Sequence, residues 1–362
     1  MRSWVEVSLG RIRANFRAVK ALVGESIEVM PVVKADAYRH GAVAVSHALE
    51  AEGARWLAVS SREEGVVLRQ NGCMSRILVM ADFLEQEQEA LTTHHLTPVI
   101  HSLEDLAEVK VPYHLKVDTG MNRLGARAEP EQIARAVAAA PAPMEGLMTH
   151  FASSGNFDST QTEEQMECFE AVLAGLRRAG IEPRYIHSCG TIPIAYCRRR
   201  AWGNLVRPGH AIYGYVSPAR GAAPKSALQV APALTWKASV LEVKDVPAGG
   251  LIGYGGIHRA ARPMRIAILA AGYADGIPHR LGNRGQVIVK GTLAPIAGSV
   301  SMDLTTIDIT DCPPMEAGEA VTLLGSEGDV SIHAQQMARW AGTISYAVLC
   351  GIHARVKRVY VD

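Results

Sequence analysis

Short apolar runs recur through the first 215 residues of this 362-residue chain, and most are separated by segments with the 3.6-residue period of an amphipathic helix. Strands that alternate with helices predict a parallel sheet, and eight such units predict a (β/α)8 barrel. The alternative is an open doubly wound sheet, which the count of eight disfavours. The eight candidate strands are Met30–Val33, Trp56–Ser60, Ile77–Met80, Pro98–Ile100, Tyr113–Val117, Glu145–Thr149, Tyr185–Ser188 and Leu205–Arg207.

The pattern changes after Tyr215. The stretch Pro218–Pro224 has the composition of a linker, and strand-like alternation dominates beyond it, interrupted by one helix pattern at Ser331–Trp340. We therefore expect an α/β protein with an N-terminal (β/α)8 barrel at residues 8–217 and a C-terminal, mainly β domain at residues 226–362. Residues 1–7 alternate like a strand, and we expect them to join the second domain.

Composition limits the kinds of molecule that this protein is expected to bind. The 37 Lys and Arg residues balance 36 Asp and Glu residues, which argues against a nucleic-acid partner. No apolar run approaches the roughly 18 residues that cross a membrane, and no signal-peptide pattern opens the chain. The six cysteines form no C-x-x-C pair and the thirteen histidines no H-E-x-x-H pair, so we expect a cytoplasmic enzyme without a metal.

Catalytic groups of such barrels gather where the strands end. The first candidate strand ends at Lys34, which closes a buried run. A desolvated amine suits a Schiff base; a lone lysine here would more often reach solvent, but its neighbours change that expectation. Gly190, Thr191 and Gly209 follow the last two strands, where barrels commonly bind phosphate. An amine beside a phosphate cradle, without a nucleotide fingerprint, suggests pyridoxal phosphate.

These residues belong to eight blocks that resemble the alanine racemases, the barrel-fold enzymes that use pyridoxal phosphate. The resemblance covers nearly the whole chain, and its specificity comes from eight blocks in family order. The blocks are Val33–Gly41, which contains the lysine signature, His114–Gly125, Thr149–Ala152, Val206–Gly209, Gly253–Gly256, Gly272–Gly276, Val300–Asp303 and Ile344–Tyr346.

The resemblance implies an amino-acid racemase that interconverts L-alanine and D-alanine and supplies D-alanine for peptidoglycan. Lys34 would form the internal aldimine and act as the base on one face of the substrate α-carbon, with Tyr254 as the base on the opposite face. A phenol needs a positive charge or hydrogen bonds to serve as a base at neutral pH. The resemblance supplies His150 and Arg207 for that purpose.

The resemblance also assigns the anion contacts. Arg207 would face the pyridine nitrogen, and because arginine can only donate, that nitrogen would stay unprotonated. Arg123 would contact the cofactor phenolate and the substrate carboxylate. Lys116 matches a position often carbamylated in relatives; pairing with Asp118 is the alternative.

The remaining contacts implied by the resemblance concern the phosphate and the partner subunit. Met302, with Tyr254, would act in the active site of a second copy, so the enzyme would be a homodimer with shared sites and a small amino acid as substrate. The phosphate would be held by Tyr38, Thr191, Tyr346 and the backbone at Gly209 and His210.

Three residues depart from the family pattern. Gly190 stands where asparagine is common, Arg39 where glycine is usual, and His210 where an apolar residue is typical. We expect Arg39 to point to solvent and His210 to do little harm.

Alternative functions stay open. A racemase of serine or another small amino acid would use the same groups. A non-catalytic pyridoxal-phosphate-binding homeostasis protein would not need the second domain, and a basic amino-acid decarboxylase would need an acidic residue in place of Arg207.

Overall fold

The structure is a computed structural model that describes residues 1–81 and 88–362. A helix predicted from the periodicity at Leu84–Leu91 falls partly outside the described residues. The strands are β1 Ser3–Ser8, β2 Glu28–Val29, β3 Trp56–Val59, β4 Arg76–Val79, β5 Leu96–Ile100, β6 Tyr113–Lys116, β7 Met144–Met148, β8 Tyr185–His187, β9 Leu205–Val206, β10 Leu234–Val246, β11 Leu251–Ile252, β12 His258–Arg259, β13 Met264–Leu269, β14 Gln286–Val289, β15 Thr292–Pro295, β16 Thr305–Asp308, β17 Ala320–Glu327, β18 Val330–Ile332 and β19 Lys357–Val361.

The longer helices follow the same order along the chain. They are α1 Leu9–Val23, α2 Lys34–Arg39, α3 Ala42–Ala51, α4 Arg62–Gln70, α5 Gln88–Thr93, α6 Pro130–Ala139, α7 Gln161–Arg178, α8 Thr191–Ala195, α9 Ala334–Ala341 and α10 Ser345–Gly351. Among the described residues, none of these helices combines the length and the apolar character that crossing a membrane would require.

The chain divides into two compact units. The barrel unit comprises Arg11–Ala37 and Ala42–Ala231. The β unit comprises Met1–Gly10, Tyr38–Gly41 and Pro232–Asp362. The domain boundaries predicted from the sequence stay a prediction.

Eight parallel strands form the barrel unit. Strands β3 to β8 make one sheet in sequence order, and β2 pairs in parallel with β9. The bridge between Val32 and Ala58 connects the β2 segment to β3, and Arg207 N donates to Cys189 O at 3.1 Å beyond β9. The predicted fold class, a barrel followed by a mainly β domain, is confirmed.

Side chains alternate between the two faces of the barrel strands. Ile100 of β5 and Leu115 of β6 belong to a buried cluster that includes Ile133 of α6 and Leu176 of α7, so these residues face the helices. Because successive side chains point to opposite faces, their neighbours along each strand face the barrel interior. This alternation orients the polar residues described below.

The β unit is built on a nine-stranded sheet with the main order β15-β14-β17-β10-β1-β19. The N-terminal strand β1 pairs antiparallel with β10 and parallel with β19. Strands β13 and β14 coincide with two of the alternating apolar runs that follow the linker, at Met264–Leu269 and Gln286–Val289. Two short helices, α9 and α10, follow one another here, whereas the sequence pattern indicates only one.

The helix α2 is left-handed. The φ angles of its residues from Ala35 to Arg39 lie between +52° and +67°. This conformation costs an L-residue roughly 1–2 kcal/mol. Within the barrel unit, the side chain of Glu64 in α4 stabilises the first turn of α2 by accepting a hydrogen bond from Ala35 N at 2.6 Å.

Candidate active site

Four cations surround His150 at the ends of the barrel strands. Burial lowers the pKa of His150 to about 3, and the charges of Arg207, Arg123, Lys116 and Lys34 act in the same direction. The imidazole is therefore neutral at physiological pH. Lys34 directly follows the buried residues Met30–Val33 and begins α2. The barrel thus concentrates positive charge where sequence analysis predicts a catalytic site.

Arg207 is buried, and residues of the barrel accept hydrogen bonds from both terminal nitrogens of its guanidinium. Its Nη1 donates to His187 Nδ1 at 2.6 Å and to His187 O at 2.8 Å. Its Nη2 donates to Thr149 O at 2.7 Å and lies 3.5 Å from His150 Nδ1. Burial lowers the pKa of the guanidinium to about 10, so it stays protonated at neutral pH. Among the described residues, its Nε–H has no hydrogen-bond partner.

The partner of Arg207, His187, was missed by the sequence analysis. It lies at the end of β8 and is fully buried, and its ring also approaches His114, with 2.8 Å between His187 Nε2 and His114 Nδ1. Burial and the Arg207 charge hold the pKa of His187 well below its usual range. A polar residue closing a buried barrel strand was the available signal.

Lys116 is buried at the end of β6 and does not pair with Asp118. Instead, Asp118 Oδ1 accepts hydrogen bonds from the backbone N–H groups of Gly120, Met121 and Asn122 at 3.0–3.1 Å. Burial lowers the pKa of Lys116 to about 8, reinforced by nearby Arg123 and by more distant cations. In the described part of the chain, neither Lys116 nor Arg123 has a hydrogen-bond or ion-pair partner.

Thr191 joins the last two loops of the barrel. It is the first residue of α8, and its Oγ1 accepts from Gly209 N at 3.3 Å and from Ala211 N at 3.2 Å. His210, between these donors, is buried and stacks on Tyr215 with 5.0 Å between ring centroids. The predicted phosphate residues of the barrel unit are therefore held together.

The predicted phosphate residues of the β unit also lie together. The rings of Tyr38 and Tyr346 are 6.0 Å apart between centroids. Burial, with smaller contributions from Tyr346 and Cys350, raises the pKa of the Tyr38 phenol, which is therefore a neutral donor. Arg39 does not point freely to solvent as predicted: it is half-buried, and its Nε donates to Cys350 O at 3.3 Å.

Tyr254 and Met302 face outward from the β unit. Tyr254 is 78% exposed and Met302 is 55% exposed. Tyr254 follows Gly253, whose φ of +70° favours glycine, and its carbonyl accepts a hydrogen bond from Ser299 Oγ at 3.1 Å. The loop of Met302 is fixed by Ala274 N, which donates to Met302 O at 2.9 Å. Both side chains are presented by ordered loops.

Neither the backbone conformation nor the surrounding space requires a glycine at position 190. Its φ is −102° and its ψ is −151°, which any residue adopts. A Cβ would lie 3.5 Å from Arg207 O and 3.8 Å from His150 Cε1, at ordinary contact distance. The glycine therefore leaves side-chain space beside the two central residues of the site.

Comparisons with known proteins agree with the resemblance. The family model "Alanine racemase, N-terminal domain" matches residues 7–218, and "Alanine racemase, C-terminal domain" matches residues 233–360. An alanine racemase of Halothermothrix orenii is 38% identical over 99% of this chain and 96% of its own length.

Solved structures show the same likeness. The alanine racemase of Clostridium difficile 630 has a TM-score of 0.93 at 31% identity, covering 100% of this chain and 96% of that one. The alanine racemase from Bartonella henselae, described with covalently bound pyridoxal phosphate, has a TM-score of 0.87 at 25% identity, with 100% of both chains covered.

Proposed function

The chain belongs to the alanine racemase family, whose activity is the interconversion of L- and D-alanine, and on this premise we propose that it racemises alanine with pyridoxal phosphate by a two-base mechanism. The observation that carries the proposal is the group of four cations that keeps His150 neutral: Arg207 and Lys116 are buried, Lys34 is half-buried, and Arg123 is exposed. Such a cluster suits a substrate carboxylate and a cofactor that bears phosphate and phenolate oxygens.

The residues present fit that cofactor. Lys34 would carry it, and the Nε–H of Arg207, the donor that the barrel leaves unused, would face the pyridine nitrogen. Its phosphate would be bound by Thr191, Gly209 and His210 and by Tyr38 and Tyr346. When bound, the cofactor withdraws electrons and thereby acidifies the α-hydrogen of the amino acid.

In this proposal the chain's own residues handle the proton and the carboxylate. Arg123 binds the carboxylate, while the Lys34 amine and the Tyr254 phenol hold or accept the α-proton on opposite faces of the carbon. His150 and Arg207 support the phenol through the positive charge of the guanidinium. A neutral His150 suits this role, because it accepts from Arg207 without adding a further charge.

We infer a homodimer with shared sites, as the resemblance implies. Besides the terminal Met1, the β unit has five large apolar side chains that are more than half exposed: Leu251, Tyr254, Ile257, Met302 and Ile344. Stable monomers rarely leave extended apolar surface uncovered. A second copy that covers these residues would receive Tyr254 and Met302 in its active site. The D-alanine produced would supply peptidoglycan synthesis.

The first experiment follows optical rotation and α-deuterium together for L-alanine and pyridoxal phosphate in deuterium oxide. Loss of rotation with deuterium uptake is expected. In Tyr254→Phe, deuterium uptake into one enantiomer with retained rotation is expected, because only the Lys34 face still works. No change in either signal with the wild-type protein would reject the alanine assignment.

Serine is a second candidate substrate because of Gly190. The unfilled space beside His150 and Arg207 would accommodate one more small group, and discrimination of that size amounts to only ~1–3 kcal/mol. The same assay with L-serine, compared between wild type and Gly190→Asn, tests this assignment. A serine-to-alanine activity ratio that is the same in both proteins would argue against it.

A further inference from the structure

His101 lies one residue beyond β5, beside Lys116. The parallel register pairs Val99 with His114 and Ile100 with Leu115, so the next pair along the two strands is His101 and Lys116. Adjacent strands are about 4.8 Å apart. Because Ile100 and Leu115 face the helices, the side chains of His101 and Lys116 both face the barrel interior.

His101 is a buried polar group. Neither ring nitrogen is accessible to solvent, and neither meets full hydrogen-bond geometry with any residue in ranges 1–81 and 88–362. Burial lowers the pKa of the imidazole to about 4, and the charge of Lys116 acts in the same direction, against a smaller contribution from the Met80 backbone, whose contact falls short of that geometry, and from the charge of Asp105. An unsatisfied buried donor costs roughly 1–3 kcal/mol, so an acceptor is expected here.

Among the described residues, Lys116 has no hydrogen-bond or ion-pair partner. The charges of Arg123, Arg207 and Lys34 disfavour its ammonium; Asp118 favours it, but its carboxylate accepts hydrogen bonds from its own loop. The group next to His101 is therefore a buried cation among cations. One anion located at the Lys116 Nζ would relieve the repulsion and supply an acceptor for His101 at once.

We propose that His101 is a positioning residue that holds a carbamate on Lys116 through a hydrogen bond from its imidazole N–H. The inference rests on the proposed function, takes Lys116 to be carbamylated as the resemblance implies, and names the residue that stabilises the carbamate. The neutral Lys116 amine attacks dissolved carbon dioxide; the new N–C bond forms, one N–H proton leaves to water, and a carbamate anion remains. One carbamate oxygen accepts from His101, and the other is free to accept from Arg123.

The role of His101 is therefore indirect. With the carbamate fixed on one side, Arg123 is oriented toward the substrate carboxylate rather than repelled by an ammonium. Without His101, the carbamate loses one of its donors and returns more readily to amine and carbon dioxide. Hydrogen bonds to charged groups are strong enough to change this equilibrium by about ten-fold or more.

The test is a titration of the protein with ¹³C-bicarbonate, in which the carbamate is followed by ¹³C NMR. Wild type is expected to show a carbamate resonance that Lys116→Met lacks. His101→Leu is expected to need about ten-fold more bicarbonate for half occupancy, and His101→Gln, which keeps an N–H donor, to recover most of the loss. His94→Leu, near the opposite end of β5, is the matched control and should titrate like wild type.

A second measurement follows the His101 side chain itself, in the wild-type protein and in Lys116→Met. The ¹⁵N resonances of the His101 imidazole are expected to shift when bicarbonate is added, and not to shift in Lys116→Met. Equal bicarbonate dependence in wild type and His101→Leu, or unshifted His101 resonances, would overturn the role of His101 alone. A wild-type protein without a carbamate resonance would overturn the carbamate as well, while the deuterium assay would still decide racemisation independently.

Discussion

Arg207 donates a hydrogen bond to Nδ1 of His187 at 2.6 Å in the barrel interior. Because arginine has no acceptor, Nδ1 of His187 must be unprotonated, so its proton is on Nε2. That proton is donated to His114 Nδ1, 2.8 Å away, which in turn puts the proton of His114 on Nε2. One guanidinium thus fixes the tautomers of two buried histidines.

His187→Leu is expected to lower kcat/KM for alanine at least about ten-fold, because Arg207 loses the side-chain acceptor that orients it. It should also destabilise the fold by about 2 kcal/mol, since a buried charged donor is left without that partner. Steady-state kinetics and thermal unfolding measure the two effects. Wild-type kinetics in this variant would show that the backbone carbonyls alone position Arg207.

Mixing two inactive variants tests whether the sites are shared. Lys34→Ala and Tyr254→Phe are each expected to lack racemase activity. In a heterodimer with shared sites, one site would contain both changes and the other neither, so subunit exchange should restore up to about a quarter of wild-type activity. If Lys34 and Tyr254 act in the same chain, the mixture will stay inactive.

Because α2 is left-handed, a glycine substitution within it is expected to stabilise the protein. Ala35 is exposed with a φ of +52°, so Ala35→Gly should stabilise the protein by about 1 kcal/mol through relief of this backbone strain. Ala171→Gly, at an exposed position inside the right-handed α7, should cost about 1 kcal/mol. Thermal unfolding compares the two; destabilisation by both changes would contradict strain in α2.

The lowered pKa of Lys116 predicts the pH dependence of stability in carbon-dioxide-free buffer. Between the folded value of about 8 and the ordinary value of 10.5, the unfolded chain binds more protons, so the free energy of unfolding should rise with pH in this window. A gain on the order of 2–3 kcal/mol is expected from chemical unfolding curves. Lys116→Met should remove the gain; an identical gain in that variant would assign it elsewhere.

In the β unit, the ion pair between Asp275 and Arg355 is expected to matter more than a surface pair. Asp275 is 6% exposed in its side chain, receives two hydrogen bonds from Arg355 at 2.7 and 2.8 Å, and accepts a third from Gly272 N. Asp275→Ala should cost about 2 kcal/mol because these donors lose their acceptor. Glu182→Ala, which breaks an exposed pair with Arg177, should leave Tm unchanged.

The sequence was sufficient where periodicity carries the information. Strand β13 and the barrel's alternation follow from residue patterns alone, and Lys34 was found because it ends a buried run. The handedness of α2 was not predictable, because left- and right-handed helices share one period. His187 was hidden within an otherwise ordinary strand.

Local charge was a poor guide to pairing. Lys116 and Asp118 are two residues apart, a spacing that would place both on one face of a strand, yet the Asp118 carboxylate caps three N–H groups of its own loop instead. Only the folded chain shows that Lys116, Arg123 and His101 are left without acceptors in the described residues.

The Thr191 hydroxyl has a further consequence for ligand selection. Its oxygen already accepts from two backbone N–H groups, so both lone pairs are engaged and only its hydrogen is left to give. Thr191 can therefore donate a hydrogen bond to an oxygen acceptor of a ligand, but it cannot accept one from a further donor. In the proposed phosphate site, the ester would offer that hydrogen several charged acceptor oxygens and the free alcohol only one neutral acceptor, so Thr191 would favour the phosphate ester.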